Sequence, residues 1–380
     1  MRHRGLPFGF PFSPSRWLVA LALAWAAAFS NAQTPPASDP PAEAAAPSTS
    51  PTPREDVDIA LVLPLDAAAY ARAADAVRAG FLAAAESAGG KLRVKVFPHG
   101  DDGVLPAFEA AQGAGARVVV GPLVRDDLKV VASMALELPY TIALNQLDDG
   151  AAAPQRLYTF ALSIDADARQ IAKRMRETAP PTPSDTVPNV AIVSTETPLM
   201  KRFASAFAAE WLGRGGSVPT VIKFDSAVES MTAMRRDLQR RPPAALLLAM
   251  DGPSATLAKP YTGSVPAYAS ALVFEREAMA TARDLDGLTV TEIPWIVTPD
   301  APQFAALPRR EMPSAALTRL YALGLDAFRV AASFRDGPPE RFSLDGATGQ
   351  IALDGRTFTR ESRFAVFRDG TLVPADAAPK

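Results

Sequence analysis

Nucleophilic and metal chemistry needs side chains that this chain hardly has. Its 380 residues include no cysteine and two histidines, His3 and His99. Thiolate catalysis, disulfides and Cys-ligated zinc are excluded, and a Ser–His–Asp triad or a multi-histidine metal site has almost nothing to be made from. The sequence carries no Walker A, no G-x-G-x-x-G after a strand, no H-E-x-x-H and no G-x-S-x-G. No metal or cofactor is expected. The 39 basic and 41 acidic residues give a formal charge of −2, which argues against a nucleic-acid partner, whose phosphates demand a basic excess. Binding chemistry remains.

The candidates for a binding site stand where apolar runs end. Gly121-Pro122 follows the run 117–120, and Gly252-Pro253 follows 244–250. Each pair marks a loop at a strand end, either a tight turn or part of a cleft wall. Asn145 closes the run 139–144, where its amide can make a hinge hydrogen bond or meet a ligand. Ser163 precedes a helix that starts near Asp165, as an N-cap or a rim hydroxyl. Trp295, in Glu292-Ile293-Pro294-Trp295, sits in a crossover as core, interface or cleft wall. Arg125-Asp126-Asp127 opens a helix whose dipole suits the carboxylates. No hydroxyl accompanies them to receive a ligand carboxylate, which weakens the reading as an amino-acid receptor. Arg235-Arg236 and Arg240-Arg241 read as a solvated helix face.

The elements that position these residues follow an α/β rhythm. Residues 58–63 (DIALVL) form a near-continuous apolar run, as in a strand covered on both faces. Tyr70, Ala74, Val77, Phe81 and Ala84 then make one helical stripe, stopped by Gly89-Gly90. Further strands are predicted over 92–97, 117–120, 139–144 and 157–162. A Pro-rich break at 179–188 precedes a second run, with strands over 189–194, 218–224, 244–250 and 267–269. Its helices start at Thr197-Pro198, a cap followed by proline, and at a capping box over 226–229. The halves echo each other: VVVG-Pro122, helix, LPYTIALN against LLLAMDG-Pro253, helix, VPAYASAL. This predicts an α/β fold of periplasmic-binding-protein kind, with two doubly wound parallel-sheet lobes and a ligand cleft at the strands' carboxyl ends. The first lobe takes about 56–160 plus part of the C-terminal segment, and the second about 165–290. A long helix over 314–334 and a small antiparallel hairpin, 342–344 against 350–353, complete the globular part, which spans 54–376.

Ahead of it, residues 1–32 read as a cleavable secretory leader, with Arg2, Arg4 and Arg16, an apolar stretch over 17–29 and small residues at 30–32. Residues 33–53, rich in Pro, Ala and Ser, read as a disordered tether. The expected location is the periplasm, or outside the cell. The missing cysteine excludes a lipid-modified N-terminal Cys.

Several phrases in order resemble the penicillin-binding-protein activator family, the LppC/LpoA-type lipoproteins, over the C-terminal domain. They are DIALVLPL (58–65), DAVRAGFLAA (75–84), ARVVVGPL (116–123), LPYTIALNQ (138–146), LYTFALSIDADARQIA (157–172), RLYALGLDAFRVA (319–331) and LDGATGQIALD (344–354). The resemblance implies a type I periplasmic-binding-protein fold turned from solute capture to regulation. Its partner would be a class A penicillin-binding protein, the bifunctional peptidoglycan synthase, and it would have no enzymatic activity of its own. Against that pattern the sequence offers no lipobox cysteine and reads as a Pro-rich tether ahead of the globular part, so neither a lipid anchor nor the family's helical N-terminal domain is expected. The alternative is a periplasmic solute-binding protein with an amino acid or related small molecule in the cleft, feeding a transporter or sensor.

Overall fold

The computed structural model describes residues 56–134, 137–148, 150–178, 188–275 and 282–376. The leader, the tether and the Pro-rich break at 179–187 lie outside the described residues.

Alternating strands and helices make the first lobe: β1 (Ile59–Leu63), α1 (Ala71–Ser87), β2 (Val94–Pro98), α2 (Leu105–Gly113), β3 (Val118–Val120), α3 (Arg125–Ala132), β4 (Tyr140–Ala143) and β5 (Leu157–Phe160). β1 and β3 are buried along their whole length, as their unbroken apolar runs require. Helix α4 (Ile164–Thr178) carries the chain into the second lobe. There β6 (Val190–Ser194), α5 (Pro198–Gly213), β7 (Thr220–Lys223), α6 (Val228–Arg240), β8 (Ala245–Ala249), α7 (Gly252–Ala258), β9 (Ala267–Ala269) and β10 (Leu288–Glu292) repeat the pattern. The chain returns through α8 (Pro294–Val297) and α9 (Ala315–Ala332), and ends in β11 (Ser343–Asp345), β12 (Gln350–Asp354), β13 (Thr357–Glu361), β14 (Arg363–Arg368) and β15 (Thr371–Pro374).

The sequence echo is a topological one. The parallel core of one sheet runs β5-β4-β3-β1-β2 and that of the other β10-β9-β8-β6-β7, the same doubly wound order. The C-terminal strands form no separate cap. β13 adds parallel to β5, pairing Thr357 with Thr159, while β12 and β11 follow antiparallel. After Ser362 the chain crosses over, and β14 adds antiparallel to β10, pairing Phe364 with Thr291, with β15 outside it. The 342–344/350–353 hairpin forms as its alternation predicts. It sits at the edge of a larger sheet because the open edges of β5 and β10 offer unpaired N–H and C=O groups.

Local signals mostly decide the helix ends. Thr197 caps α5, its hydroxyl accepting from Met200 N at 3.4 Å, and Pro198 takes the first helical position. Ser314 caps α9 through Leu317 N at 3.2 Å. The capping box expected at 226–229 does not form. Ala227 is the N-cap residue, without a side-chain cap, and Asp225 Oδ1 accepts from Ala227 N at 3.0 Å instead. An Asx-type turn has taken the place of the box.

Helix α9 is buried nearly all round and lies against α1 with backbones in contact. A Cβ on Gly324 would stand 2.1 Å from Val77 O, and one on Gly80 2.0 Å from Tyr321 O. Phe81 meets Phe328 edge to face at 5.4 Å beside this crossing. The crossing fixes α9 in the core of the first lobe and leaves the first turns of α9 free to reach toward the second.

Candidate functional site

A cavity of about 340 Å³ lies where the two lobes meet. Its wall comes from the ends of β4, β5, β9 and β10, the starts of α4, α5 and α9, and the crossover between β13 and β14. Strand carboxyl ends and helix N-termini therefore converge on it, as expected for two facing open α/β sheets. Most of the wall is apolar, with Leu162, Leu199, Leu272, Ile293 and Leu320 among its residues.

Asn145 and Ser163 both line this cavity. The Asn145 amide donates to Leu123 O at 2.9 Å, and its oxygen accepts from Gln146 N at 2.9 Å, so it ties the loop before α3 to the end of β4. Ser163 donates to Gln146 Oε1 at 2.9 Å and accepts from Ala166 N at 3.3 Å, acting as both N-cap and wall.

The other sequence candidates stand outside the cavity wall. Gly121 lets β3 approach β1 closely: its φ is +117°, and a Cβ there would stand 2.1 Å from Val62 O. Pro122 accepts from Leu144 N at 2.9 Å. Gly252 and Pro253 form the first turn of α7, capped by Asp251 through Ser254 N at 2.9 Å. Trp295 is core. It is buried in α8, meets Phe304 edge to face at 5.3 Å and has the Arg309 guanidinium 5.7 Å from its ring.

Sequence reasoning missed the ion pairs that the cleft arginines make. Arg319 Nε donates to Glu292 Oε1 at 3.0 Å and Oε2 at 3.2 Å, and Nη2 donates to Oε2 at 2.7 Å. Nη2 also reaches Ala271 O at 2.8 Å and Phe274 O at 3.0 Å. Burial opposes the charge on Arg319, but the Glu292 carboxylate more than offsets it, and the guanidinium pKa sits above its usual value. Arg360 Nη2 donates to Asp167 Oδ1 at 3.1 Å, and Nη1 donates to Thr348 O at 2.9 Å and to Ser362 Oγ. Nearer the rim, Arg202 Nε bonds both oxygens of Asp165 at 2.9 Å, and Arg125 meets Asp148 at 2.9 Å. The bonded Lys129 ammonium, with Arg125, holds the Asp148 carboxyl below the usual carboxylate range. An arginine in the otherwise apolar stretch 315–325 is the visible signal for Arg319, since such a charge must find a partner on burial.

The four arginines each face one carboxylate. In the wall, Ser362 Oγ donates to Asp167 Oδ1 at 2.8 Å, and the same oxygen accepts from Arg360 Nη2 at 3.1 Å. Among the described residues no cluster of three or more His, Cys, Asp or Glu side chains could hold a metal. The wall can hold and orient a molecule.

Two doubly wound lobes around a cleft at the strands' carboxyl ends define a type I periplasmic-binding-like protein. Comparison with solved structures bears this out. The C-domain of LpoA from Haemophilus influenzae, described as a regulator of PBP1A, superposes with a TM-score of 0.69 at 22% identity, covering 84% of this chain and 99% of that one. A Chromobacterium violaceum protein described as a putative branched-chain amino acid ABC transporter superposes with a TM-score of 0.68 at 29% identity, covering 82% and 100%. The family model described as "LppC putative lipoprotein" matches residues 52–370, and the chain belongs to that family. The penicillin-binding protein activator LpoA of H. influenzae is 25% identical over 293 residues, 74% of this chain and 49% of its own length. That of Edwardsiella piscicida is 27% identical over 318 residues, 71% and 44%. The chain spans about half the length of these relatives.

Proposed function

We propose that this chain is a periplasmic regulator that binds a class A penicillin-binding protein and stimulates its synthesis of peptidoglycan, without catalysing a reaction itself. The observation that carries the reading is the family membership over residues 52–370, together with a fold that matches almost the whole LpoA C-domain. The cleft is compatible with it, because its arginines are tied into ion pairs with Asp165, Glu292 and Asp167. The leader read over residues 1–32 delivers the chain to the periplasm, where the synthase domains of such enzymes work. Surface plasmon resonance with a class A synthase of the same bacterium immobilised on the chip tests the pairing. Saturable binding of the full chain is expected, and no binding beyond that of an unrelated periplasmic protein would reject it.

A further inference from the structure

Outside the cleft, helix α4 is flanked by two open grooves that share Asp165 and Arg169 and so form one furrow. One, of about 640 Å³, runs between α4 and α5 over small residues, among them Ala206, Ala209 and Gly213. The other, of about 370 Å³, runs along the first lobe past Gln146, Thr159 and Arg356. Of the furrow's lining, Gln146 and Arg202 also line the cleft.

The charge of the furrow is one-sided. Four arginines line it, Arg169, Arg202, Arg214 and Arg356, against two carboxylates, Asp165 and Glu210. Both carboxylates are taken, Asp165 by Arg202 and Glu210 by Arg214. Arg356 donates to a backbone oxygen, Pro154 O, at 3.0 Å. Arg169 is exposed and makes no hydrogen bond or ion pair among the described residues. Lys173 and Arg176 continue its face of α4 at helical spacing. Lys173 is exposed and equally unpaired, and Arg176 Nε donates to Arg214 O at 3.4 Å across the furrow. In a chain with 39 basic and 41 acidic residues this is a local excess, and a patch of one sign selects a partner of the other.

Shape and donor type narrow the partner. A furrow along a helix takes an extended chain, whereas a lipid surface is broad and does not enter a groove. The small residues of the floor leave room for a second backbone. Guanidinium groups close on carboxylates with several bonds at once. Arg202 already holds Asp165 that way, with Nε 2.9 Å from both oxygens and Nη2 bonded as well. From Arg169 to Arg176 the helix rises by about 10 Å, the length of about three extended residues. Acidic side chains at alternate positions of such a segment face the same way.

We infer that the furrow along α4 docks an extended acidic segment of a partner polypeptide, its carboxylates meeting Arg169, Lys173 and Arg356. The segment touches both lobes, through Arg356 in the first and α5 in the second. The inference does not depend on which protein supplies the segment, and a synthase that fails to bind leaves it standing.

Fluorescence anisotropy of a labelled peptide of alternating Glu and Ser, titrated with the full chain beside the matching Gln–Ser peptide, tests the inference. Saturable binding of the Glu–Ser peptide is expected, with the Gln–Ser peptide at least about tenfold weaker. Arg169→Glu with Lys173→Glu weakens the Glu–Ser peptide by at least about tenfold. Arg235→Glu with Arg236→Glu makes the same charge change on the exposed face of α6, outside the furrow lining, and leaves the affinity within about twofold. Circular dichroism reports the folding of both double variants, and the two peptides carry the test if a variant does not fold. Phosphatidylglycerol vesicles supply the other anionic surface. Vesicles that bind the chain where the Glu–Ser peptide does not would assign the furrow to lipid and overturn the inference. A Glu–Ser peptide that fails to saturate, a Gln–Ser peptide that binds as tightly, or equal losses in the two double variants overturn it too.

Discussion

Arg319, rising from α9 in the first lobe, grips both carboxylate oxygens of Glu292 at the end of β10 in the second, at 2.7 to 3.2 Å. Both side chains are out of water, Glu292 completely. The pair closes the deep end of the cleft and joins the lobes at the point where the chain leaves the second sheet. Its two backbone acceptors, Ala271 O and Phe274 O, also belong to the second lobe. A guanidinium with several acceptors in fixed positions is the side chain suited to this task, because its planar fork can satisfy them together.

Removal of one partner leaves the other as an uncompensated buried charge. Glu292→Ala is expected to lower unfolding stability by about 3–5 kcal/mol. Replacement of both residues, Arg319→Met with Glu292→Met, loses much less than the sum of the two single changes, because no charge remains to be desolvated. Urea unfolding of the two single variants and the double variant measures the coupling. Additive losses would show that the pair is not a unit.

The α1–α9 crossing makes a second prediction. With Val77 O 2.1 Å from where a Cβ on Gly324 would stand, Gly324→Ala forces the helices apart. In most helices glycine to alanine is favourable by the gain in propensity. Here overpacking outweighs it, and a net loss of about 1–3 kcal/mol is expected from denaturant titration. The change lies a full turn beyond Arg319, so the loss also reads out how firmly the crossing holds the cleft arginine in place.

His99 predicts a pH dependence. Burial pushes its pKa below the usual 6.5, more than the carboxylate of Asp127, 3.8 Å away, together with Asp102 and Asp66, pulls it up. The folded chain keeps the imidazole neutral at pH values where the unfolded chain has taken up the proton. The unfolded state then binds more protons, so stability falls as pH drops below 6.5 and levels off beneath the folded value. His99→Gln is expected to remove up to about 1 kcal/mol of the loss between pH 6.5 and 5.5. Urea midpoints for both proteins across that range check it, and parallel pH profiles would contradict it.

What the sequence made legible was local or repeated. The glycine stop after α1, the Thr197 cap, the buried strands and the echo between 118–143 and 245–269 all rest on neighbours in sequence, and the structure reproduces them. Asn145 and Ser163 follow strand ends on the converging face; both line the cavity, and each also makes the hinge or cap hydrogen bond that the sequence leaves open beside that role. For Gly121, Pro122, Gly252, Pro253 and Trp295 the sequence leaves a turn or core role open beside a cleft role. Gly121 serves a close strand contact, Gly252-Pro253 a helix start, and Trp295 the core. The sheet that each C-terminal strand joins is set by free edges far away in sequence, Thr159 for Thr357 and Thr291 for Phe364. The ion pairs were hidden for the same reason: Arg319 finds Glu292 27 residues away, and Arg360 finds Asp167 across 193.

The most direct test of the account is glycan polymerisation by a purified class A synthase of the same bacterium, followed with a fluorescent lipid-linked precursor while this chain is titrated in. The activator reading predicts a saturable rise in polymerisation rate, absent when an unrelated periplasmic protein replaces the chain. A rate that stays flat at concentrations where the chain saturates the synthase in binding would contradict it.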